Sequence, residues 1–186
     1  PRAFTSFVDI QVLTERLEEM SETVSIAELN SRLTRLEDIK AIEQLKYTYA
    51  GYCDDGYNPD GIAGLFTEDG RWIVDGEGAT LTGRDAIHAH FTTLSERISW
   101  ALHYMIAPNI EIDESGERAK GTFYLLCLCT IEQTEDPSKK DAVILTINYR
   151  DTFVKRDGRW YFEELIGLTH QVSNWDKGWV EQPFRP

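Results

Sequence analysis

The sequence predicts an α+β fold, a cone-shaped α+β barrel in which one curved mixed or antiparallel sheet wraps around a long N-terminal helix. Up to about Ser99, apolar residues recur at helical spacing, and from Ser99 to Asn174 they form long runs that short turns separate. Helices followed by strands are typical of α+β domains. A sheet curved around a helix would enclose a deep, cone-shaped pocket.

The first long element is a helix, predicted from Ile26 to Cys53. Ser25 followed by Glu28 has the capping-box form, in which Ser caps the helix and Glu reaches back to it. Apolar residues then recur every three or four positions until Asp54-Asp55-Gly56 ends the pattern.

Shorter elements are predicted next. A short helix begins at Asn58-Pro59-Asp60, and Glu68-Asp69-Gly70 is a predicted turn. Arg71–Val74 and Ala79–Thr82 flank a hairpin signal, and Gly83 precedes another helix. The remaining runs predict four strands of an antiparallel meander, at 100–112, 119–133, 142–155 and 159–173.

We expect three segments along the chain. Residues 1–24 form an N-terminal helical extension, 25–174 form one domain, and 175–186 form an aromatic C-terminal tail. A length of 186 residues fits a single domain. The tail carries two Trp and one Phe, so we expect it to pack on its own or a neighbouring subunit.

Charge and composition exclude several kinds of partner. With 19 basic and 32 acidic residues the net charge is -13, which disfavours nucleic acids and anionic membranes. No apolar run approaches the length of a membrane span. The three cysteines, Cys53, Cys127 and Cys129, make no disulfide framework, and Pro1–Ser6 is not followed by the apolar region of a signal peptide. We therefore expect a cytoplasmic protein.

The residue pattern gives no support to a cofactor, a metal or an activated nucleophile. The sequence holds no Gly-rich phosphate loop, nucleophile elbow or dinucleotide fingerprint. His88 and His90 are two apart on a helix and face apart, and Cys127 and Cys129 lack a second pair of ligands. We expect neither a cofactor nor a metal.

Polar residues in apolar surroundings are the remaining candidates for chemistry. Asp54 ends the long helix, and His103 lies in the apolar strand Trp100–Ile106. A histidine held by a carboxylate is suited to proton transfer near neutral pH. From the residues alone, the alternative is that His103 is a satisfied core histidine and Asp54 a turn residue.

Several motifs together resemble SnoaL-like proteins of the nuclear transport factor 2-like superfamily, an α+β cone. The similarity covers about Leu36 to Ser173. Its pieces are the helix segment 38–49 with Asp54 beyond it, then 65–70, 81–87, His103 with 108–113, and 149–153 leading to 157–160.

Within that superfamily the chain looks most like cofactor-free lyases: bile-acid 7-alpha-dehydratase, scytalone dehydratase and hexachlorocyclohexane dehydrochlorinase. Their shared catalytic pair is an Asp at the helix end and a His on the strand before the Pro-x-Ile segment. Asp54 and His103 match those positions, and Tyr49 matches the tyrosine that serves as an acid in the bile-acid dehydratase. The resemblance thus implies catalytic roles for Asp54, His103 and Tyr49.

Two features depart from this family pattern. The tyrosine of the first sheet strand is replaced around Trp72, and the arginine of the last strand falls near Thr169. His170 either replaces that arginine or is an exposed strand-end histidine. Further candidates for binding a substrate are Trp72, Tyr52, Tyr104, Asn148, Tyr149 and His170.

The resemblance implies a cofactor-independent lyase acting on a small hydrophobic substrate, aromatic or polycyclic. Elimination of water is the first expectation, and retro-aldol loss of formaldehyde from a lignin-derived diaryl compound needs the same base and acid. Double-bond isomerisation is an alternative. A non-catalytic reading is the small subunit of a ring-hydroxylating dioxygenase or a ligand-binding domain, although neither needs an Asp–His pair.

The resemblance also implies self-association. Relatives assemble as dimers or trimers through the open face of the sheet. We expect a homo-oligomer, with a trimer favoured over a dimer.

Overall fold

A computed structural model describes residues 24–74 and 80–186 of the chain. The chain divides into two compact units between Leu36 and Glu37, and the described part of the first is the beginning of one helix. The predicted N-terminal extension lies outside the described residues except for its last position, as do residues 75–79 of the predicted hairpin.

The helices and strands follow the predicted order. The helices are α1 (Ile26–Asp54), α2 (Pro59–Ala63), α3 (Arg84–Arg97) and α4 (Gly178–Glu181). The strands are β1 (Phe66–Val74), β2 (Thr80–Thr82), β3 (Ile98–Ile112), β4 (Arg118–Glu132), β5 (Lys140–Arg156) and β6 (Arg159–Asn174).

All six strands form one curved sheet in the order β2-β1-β6-β5-β4-β3. The strands from β3 to β6 pair as the predicted antiparallel meander, and β1 runs parallel to β6, so the sheet is mixed. The predicted α+β class is therefore confirmed, with a sheet that stays open between the edge strands β2 and β3.

The turn predicted at Glu68-Asp69-Gly70 is wrong, because these residues belong to β1. The register with β6 explains the misleading pattern. Phe66 pairs with Phe162 whereas Arg71 pairs with Glu164, so the intervening residues of β1 leave the regular ladder. Turn-forming residues are accommodated in such an irregularity without ending the strand.

Polar contacts hold the second half of α1 to the sheet at two levels. Asp38 accepts hydrogen bonds from Trp160 Nε1 (2.8 Å) and is paired with Lys155 (2.7 Å). One level further on, the ammonium of Lys46 lies 2.8 Å from Asp151, and neither side chain is exposed to solvent. These contacts fix how α1 from Asp38 onwards lies against β5 and β6.

The Lys46–Asp151 pair is surrounded by aromatic rings. Lys46 Nζ lies 3.3 Å from the centre of the Tyr149 ring, and the rings of Phe123 and Phe162 are within cation–π distance. Burial lowers the pKa of Lys46 and raises the pKa of Asp151, and the attraction between the two charges opposes both shifts. Each charge therefore depends on its partner to remain ionised in the core.

The C-terminal tail contacts its own chain. Pro183 and Arg185 exchange backbone hydrogen bonds with Val172 at the end of β6. The Arg185 guanidinium donates to Asp141 (2.8 Å) and to the carbonyl of Glu132 (3.2 Å). The tail therefore covers the part of the β6 edge that lies beyond the end of β1.

We predict that removing one partner of the buried pair is far more damaging than removing both. Lys46→Met leaves Asp151 unpaired in the core and should lower the free energy of unfolding by roughly 3–5 kcal/mol. The double variant Lys46→Met/Asp151→Leu should recover most of that loss. Urea denaturation measures both.

The matched control is Lys40→Met, which breaks the exposed Lys40–Glu43 pair on the same helix. It should change stability by less than about 1 kcal/mol. A Lys46→Met chain as stable as this control would contradict the account of the buried pair.

Candidate active site

Asp54, the last residue of α1, contacts His103, whose side chain lies on the inward side of β3. A single carboxylate oxygen, Asp54 Oδ1, accepts a hydrogen bond from His103 Nδ1 at 2.7 Å and another from the His103 backbone N–H at 2.9 Å. Sequence reasoning selected both residues, and the structure brings them together.

Local structure explains why both groups are available. β3 is an edge strand of the sheet, so alternate N–H groups along it have no strand neighbour. Asp54 supplies the missing acceptor for one of them. The same carboxylate fixes the imidazole, whose side chain is only 5% exposed, whereas the Asp54 side chain keeps 28% of its surface open to solvent.

The contact sets the tautomer of the imidazole. An ionised carboxylate is only an acceptor, so His103 Nδ1 must carry the hydrogen of the 2.7 Å bond. In the neutral ring, Nε2 then holds the lone pair and is the nitrogen that can accept a proton. A base oriented by a carboxylate in this way is the arrangement used in general acid–base catalysis.

The surroundings of the imidazole are mostly apolar. His103 pairs in register with Cys127, which is fully buried, and the next inward positions along β3 are Ala101 and Met105. Burial raises the pKa of the Cys53 thiol, next to Asp54, so that thiol stays protonated. Apolar side chains around one polar pair are the kind of surroundings that suit a hydrophobic ligand.

Tyr57 also reaches the imidazole, and sequence reasoning did not select it. Its hydroxyl oxygen lies 3.4 Å from His103 Nε2, and its ring stands edge-on to the imidazole at 5.7 Å between centroids. No periodic pattern pointed to it, since Tyr57 follows Asp55-Gly56 in what reads as an exposed turn. The residue is nevertheless buried.

The third predicted catalytic residue, Tyr49, lies one turn earlier on α1. Its hydroxyl accepts a hydrogen bond from Trp72 Nε1 at 3.1 Å, and its ring packs edge-on against Phe91 and Phe162. Burial raises the pKa of Tyr49 well above its usual value. The structure thus places Tyr49 and Trp72 together in the core.

The other predicted binding residues have different locations. Tyr149 is buried under the ammonium of Lys46, and Tyr52 is half-buried against the core. Tyr104 follows His103 on β3, so its side chain lies on the outer face of the sheet, where it is half exposed. Asn148 also lies on that face, between the buried residues Ile147 and Tyr149.

His170 is the extra residue of a β-bulge. Thr146 pairs with Gln171 and Ile147 pairs with Thr169, so His170 has no partner in the ladder and is exposed. Of the two interpretations of His170, the structure favours the exposed histidine near the end of β6. It does not bring His170 to His103.

Residues 24–74 and 80–186 carry neither a cluster of metal ligands nor a membrane-spanning helix. No group of three or more His, Cys, Asp or Glu side chains there is arranged to hold a metal ion. None of the helices there has an apolar stretch that could cross a membrane.

Comparison with known families identifies the class of protein. Residues 34–166 match the model of the SnoaL-like domain, which is more than half of the chain. The chain therefore belongs to the SnoaL-like family. Among curated proteins no match was found.

Solved structures with the same fold give three informative likenesses. One is described as a candidate scytalone dehydratase from Novosphingobium aromaticivorans (TM-score 0.67, 25% identity, covering 76% of this chain and 90% of that one). Another is a hexachlorocyclohexane dehydrochlorinase, LinA type 2, with a TM-score of 0.68 and 22% identity, covering 77% of this chain and 92% of that one. The third is described as a candidate aromatic ring hydroxylase from N. aromaticivorans, with a TM-score of 0.65 and 22% identity, covering 75% of this chain and 94% of that one. The likenesses below 25% identity concern the fold alone.

We predict that Asp54 determines which nitrogen of His103 carries the proton. Nitrogen-15 NMR of the neutral imidazole should show a protonated Nδ1 and a bare Nε2 in the wild-type chain. Asp54→Ala removes the acceptor, so the proton should distribute over both nitrogens. The His88 resonances serve as the internal control, and a wild-type His103 protonated on Nε2 would contradict the geometry.

Proposed function

We propose that this chain is a cofactor-independent lyase that acts on a small hydrophobic molecule, aromatic or polycyclic. The observation that carries the proposal is the bond between Asp54 Oδ1 and His103 Nδ1, 2.7 Å long and set among apolar side chains. Membership of the SnoaL-like family and the likeness to a candidate scytalone dehydratase support it.

The roles follow from the two ends of the imidazole. Asp54 holds Nδ1 and stabilises the ring when it becomes positively charged. His103 Nε2 takes a proton from a carbon or a hydroxyl of the substrate. A phenol then protonates the departing oxygen or steadies it, and the family resemblance assigns Tyr49 to this step. General acid–base steps contribute roughly 10²–10⁴-fold each.

Elimination of water is the reaction we favour. Retro-aldol loss of formaldehyde from a lignin-derived diaryl compound uses the same base and acid, and would place the protein in aromatic catabolism. Elimination of hydrogen chloride differs only in the leaving group. All three reactions can therefore be sought in one assay, in which mass spectrometry follows the loss of water, formaldehyde or hydrogen chloride.

The rival is a non-catalytic partner of a ring-hydroxylating enzyme. One fold neighbour is described as a candidate aromatic ring hydroxylase, which keeps this alternative in view. A scaffold has no use for a carboxylate that fixes a histidine tautomer. The Asp54–His103 contact therefore favours the enzyme.

We predict that both residues of the pair, Asp54 and His103, are required for turnover. Probes for the assay are scytalone, γ-hexachlorocyclohexane and a diaryl propane with a free hydroxymethyl group. Asp54→Asn and His103→Ala should each lower kcat on the accepted probe by roughly 10²–10⁴-fold, because orientation and proton abstraction are lost.

The matched controls are Asp55→Asn, which makes the same change at the neighbouring exposed carboxylate, and His88→Ala. Both should keep wild-type kcat. Turnover that survives Asp54→Asn and His103→Ala in folded protein would refute the assigned roles.

We also propose that the chain forms a homo-oligomer, a trimer rather than a dimer, through the outer face of β3 and β4. Four large apolar side chains on this face are about half exposed: Trp100, Tyr104, Ile106 and Tyr124. Ile106 and Tyr124 are cross-strand neighbours, and Tyr104 pairs with Leu126. In a chain with a net charge of -13, an uncharged patch lets a second copy approach with less repulsion than an acidic surface would.

We predict that Tyr104→Glu combined with Tyr124→Glu yields a monomer in sedimentation velocity, whereas the wild-type chain sediments with three times the mass of the monomer. Charges buried in the patch would oppose association. Val180→Glu, at an exposed apolar residue of α4, is the control and should leave the assembly intact. A wild-type monomer at all concentrations would rule the interface out.

A further inference from the structure

The proton-accepting nitrogen of His103 has a neighbour in Tyr57. The Tyr57 hydroxyl lies 3.4 Å from Nε2, on the side of the ring away from Asp54. The three groups therefore form a row: the Asp54 carboxylate, the imidazole and a phenol. A group that departs from a substrate bound at Nε2 would leave beside this phenol.

The backbone at Tyr57 has an uncommon conformation. Gly56 and Tyr57 both have left-handed conformations, with φ of 65° and 57°. For a bulky residue such a φ is a true outlier that persists only where surrounding contacts hold it. Here the Tyr57 N–H bonds to the carbonyl of Cys53, and the next N–H, of Asn58, bonds to Tyr52.

The side chain is held as firmly as the backbone. The Tyr57 ring stacks on Phe91 of α3 with 17° between the planes, and the imidazole meets its edge from the other side. Asn58 caps α2 by accepting from the Gly61 N–H, which fixes the end of the turn. Strained residues held this firmly cluster at functional sites.

Burial supports the role of a proton donor. It raises the pKa of Tyr57 well above its usual value, so the phenol keeps its proton until a strong base forms next to it. A departing alkoxide or hydroxide is such a base. Tyr49 differs in position, because its hydroxyl contacts Trp72 Nε1 at 3.1 Å, whereas the Tyr57 hydroxyl contacts the imidazole.

We propose that Tyr57, rather than Tyr49, is the catalytic residue that protonates the departing oxygen. The inference rests on the proposed function and deepens it, since it implies substrates whose leaving group is a poor one, such as hydroxide. His103 Nε2 takes a proton from carbon, and the C–H electron pair forms the new double bond. The C–O bond breaks, and its electron pair takes the proton of Tyr57 to give water.

The resting state is then restored within the site. The Tyr57 phenolate takes the proton that His103 Nε2 acquired, which regenerates the neutral imidazole and the phenol. Substrate gives alkene and water, with no further reactant consumed. The Tyr57 hydroxyl and Nε2 face each other at 3.4 Å, so this last transfer needs no intermediate group once they close to hydrogen-bond distance.

The test uses ring-substituted benzisoxazoles, which lose a carbon-bound proton to a base while an N–O bond breaks and a phenolate leaves. Their substituents vary the pKa of the leaving phenol while the reacting isoxazole ring stays the same. For Tyr57→Phe we expect log kcat/KM to fall more steeply as that pKa rises, with a loss of roughly tenfold or more for the poorest leaving group.

Three variants separate this role from a structural one and from a role of Tyr49. Tyr161→Phe makes the same change far from the pair, in the β5–β6 hairpin, and should keep the wild-type slope. Tyr49→Phe tests the rival acid that the family resemblance implies, and the inference expects it to keep the wild-type slope whatever its effect on the overall rate. Replacing Tyr57 by 3-fluorotyrosine, a more acidic phenol of nearly the same shape, should flatten the slope, and this variant covers the case in which Tyr57→Phe fails to fold.

Each result decides a different claim. A wild-type chain no faster than His103→Ala on every probe overturns both the proposed function and this inference. If His103→Ala is inactive but Tyr57→Phe loses the same factor with every leaving group, only the inference falls. A steeper slope in Tyr49→Phe would overturn it in favour of Tyr49.

Discussion

One carboxylate oxygen joins the end of the long helix to the edge of the sheet. Asp54 Oδ1 accepts from both the backbone and the ring of His103, so a single contact ties α1 to β3 and also orients the imidazole. The position of the base is therefore a consequence of how the helix docks. Anything that moves the end of α1 also moves the proton-accepting nitrogen.

The docking itself depends on charges spaced eight residues apart along α1. Asp38, Lys46 and Asp54 each contact the sheet, at successive levels roughly 12 Å apart along the helix axis. A buried pair such as Lys46–Asp151 adds little net stability compared with apolar residues, but an unpaired charge is costly. Such contacts penalise a helix that slides or rotates, which is what a fixed base requires.

Much of this arrangement was predictable from the sequence. Helical spacing and the capping box gave α1, and the long runs with short turns gave β3 to β6. The Asp54–His103 pair needed the family resemblance, because a core histidine and a turn aspartate look the same in one sequence. Tyr57 was missed because left-handed turns carry no periodicity. Tyr104 was misplaced because it follows His103 directly, and strand alternation puts consecutive side chains on opposite faces, so the two could not share one site.

The most direct test of the account is a double-mutant cycle on Asp54 and His103, with kcat/KM as the readout. If the carboxylate acts only through the imidazole, Asp54→Ala should have little further effect once His103→Gln has removed the base. The combined loss should then match that of His103→Gln alone. Losses that simply multiply would show two independent residues and would contradict the oriented base on which the mechanism rests.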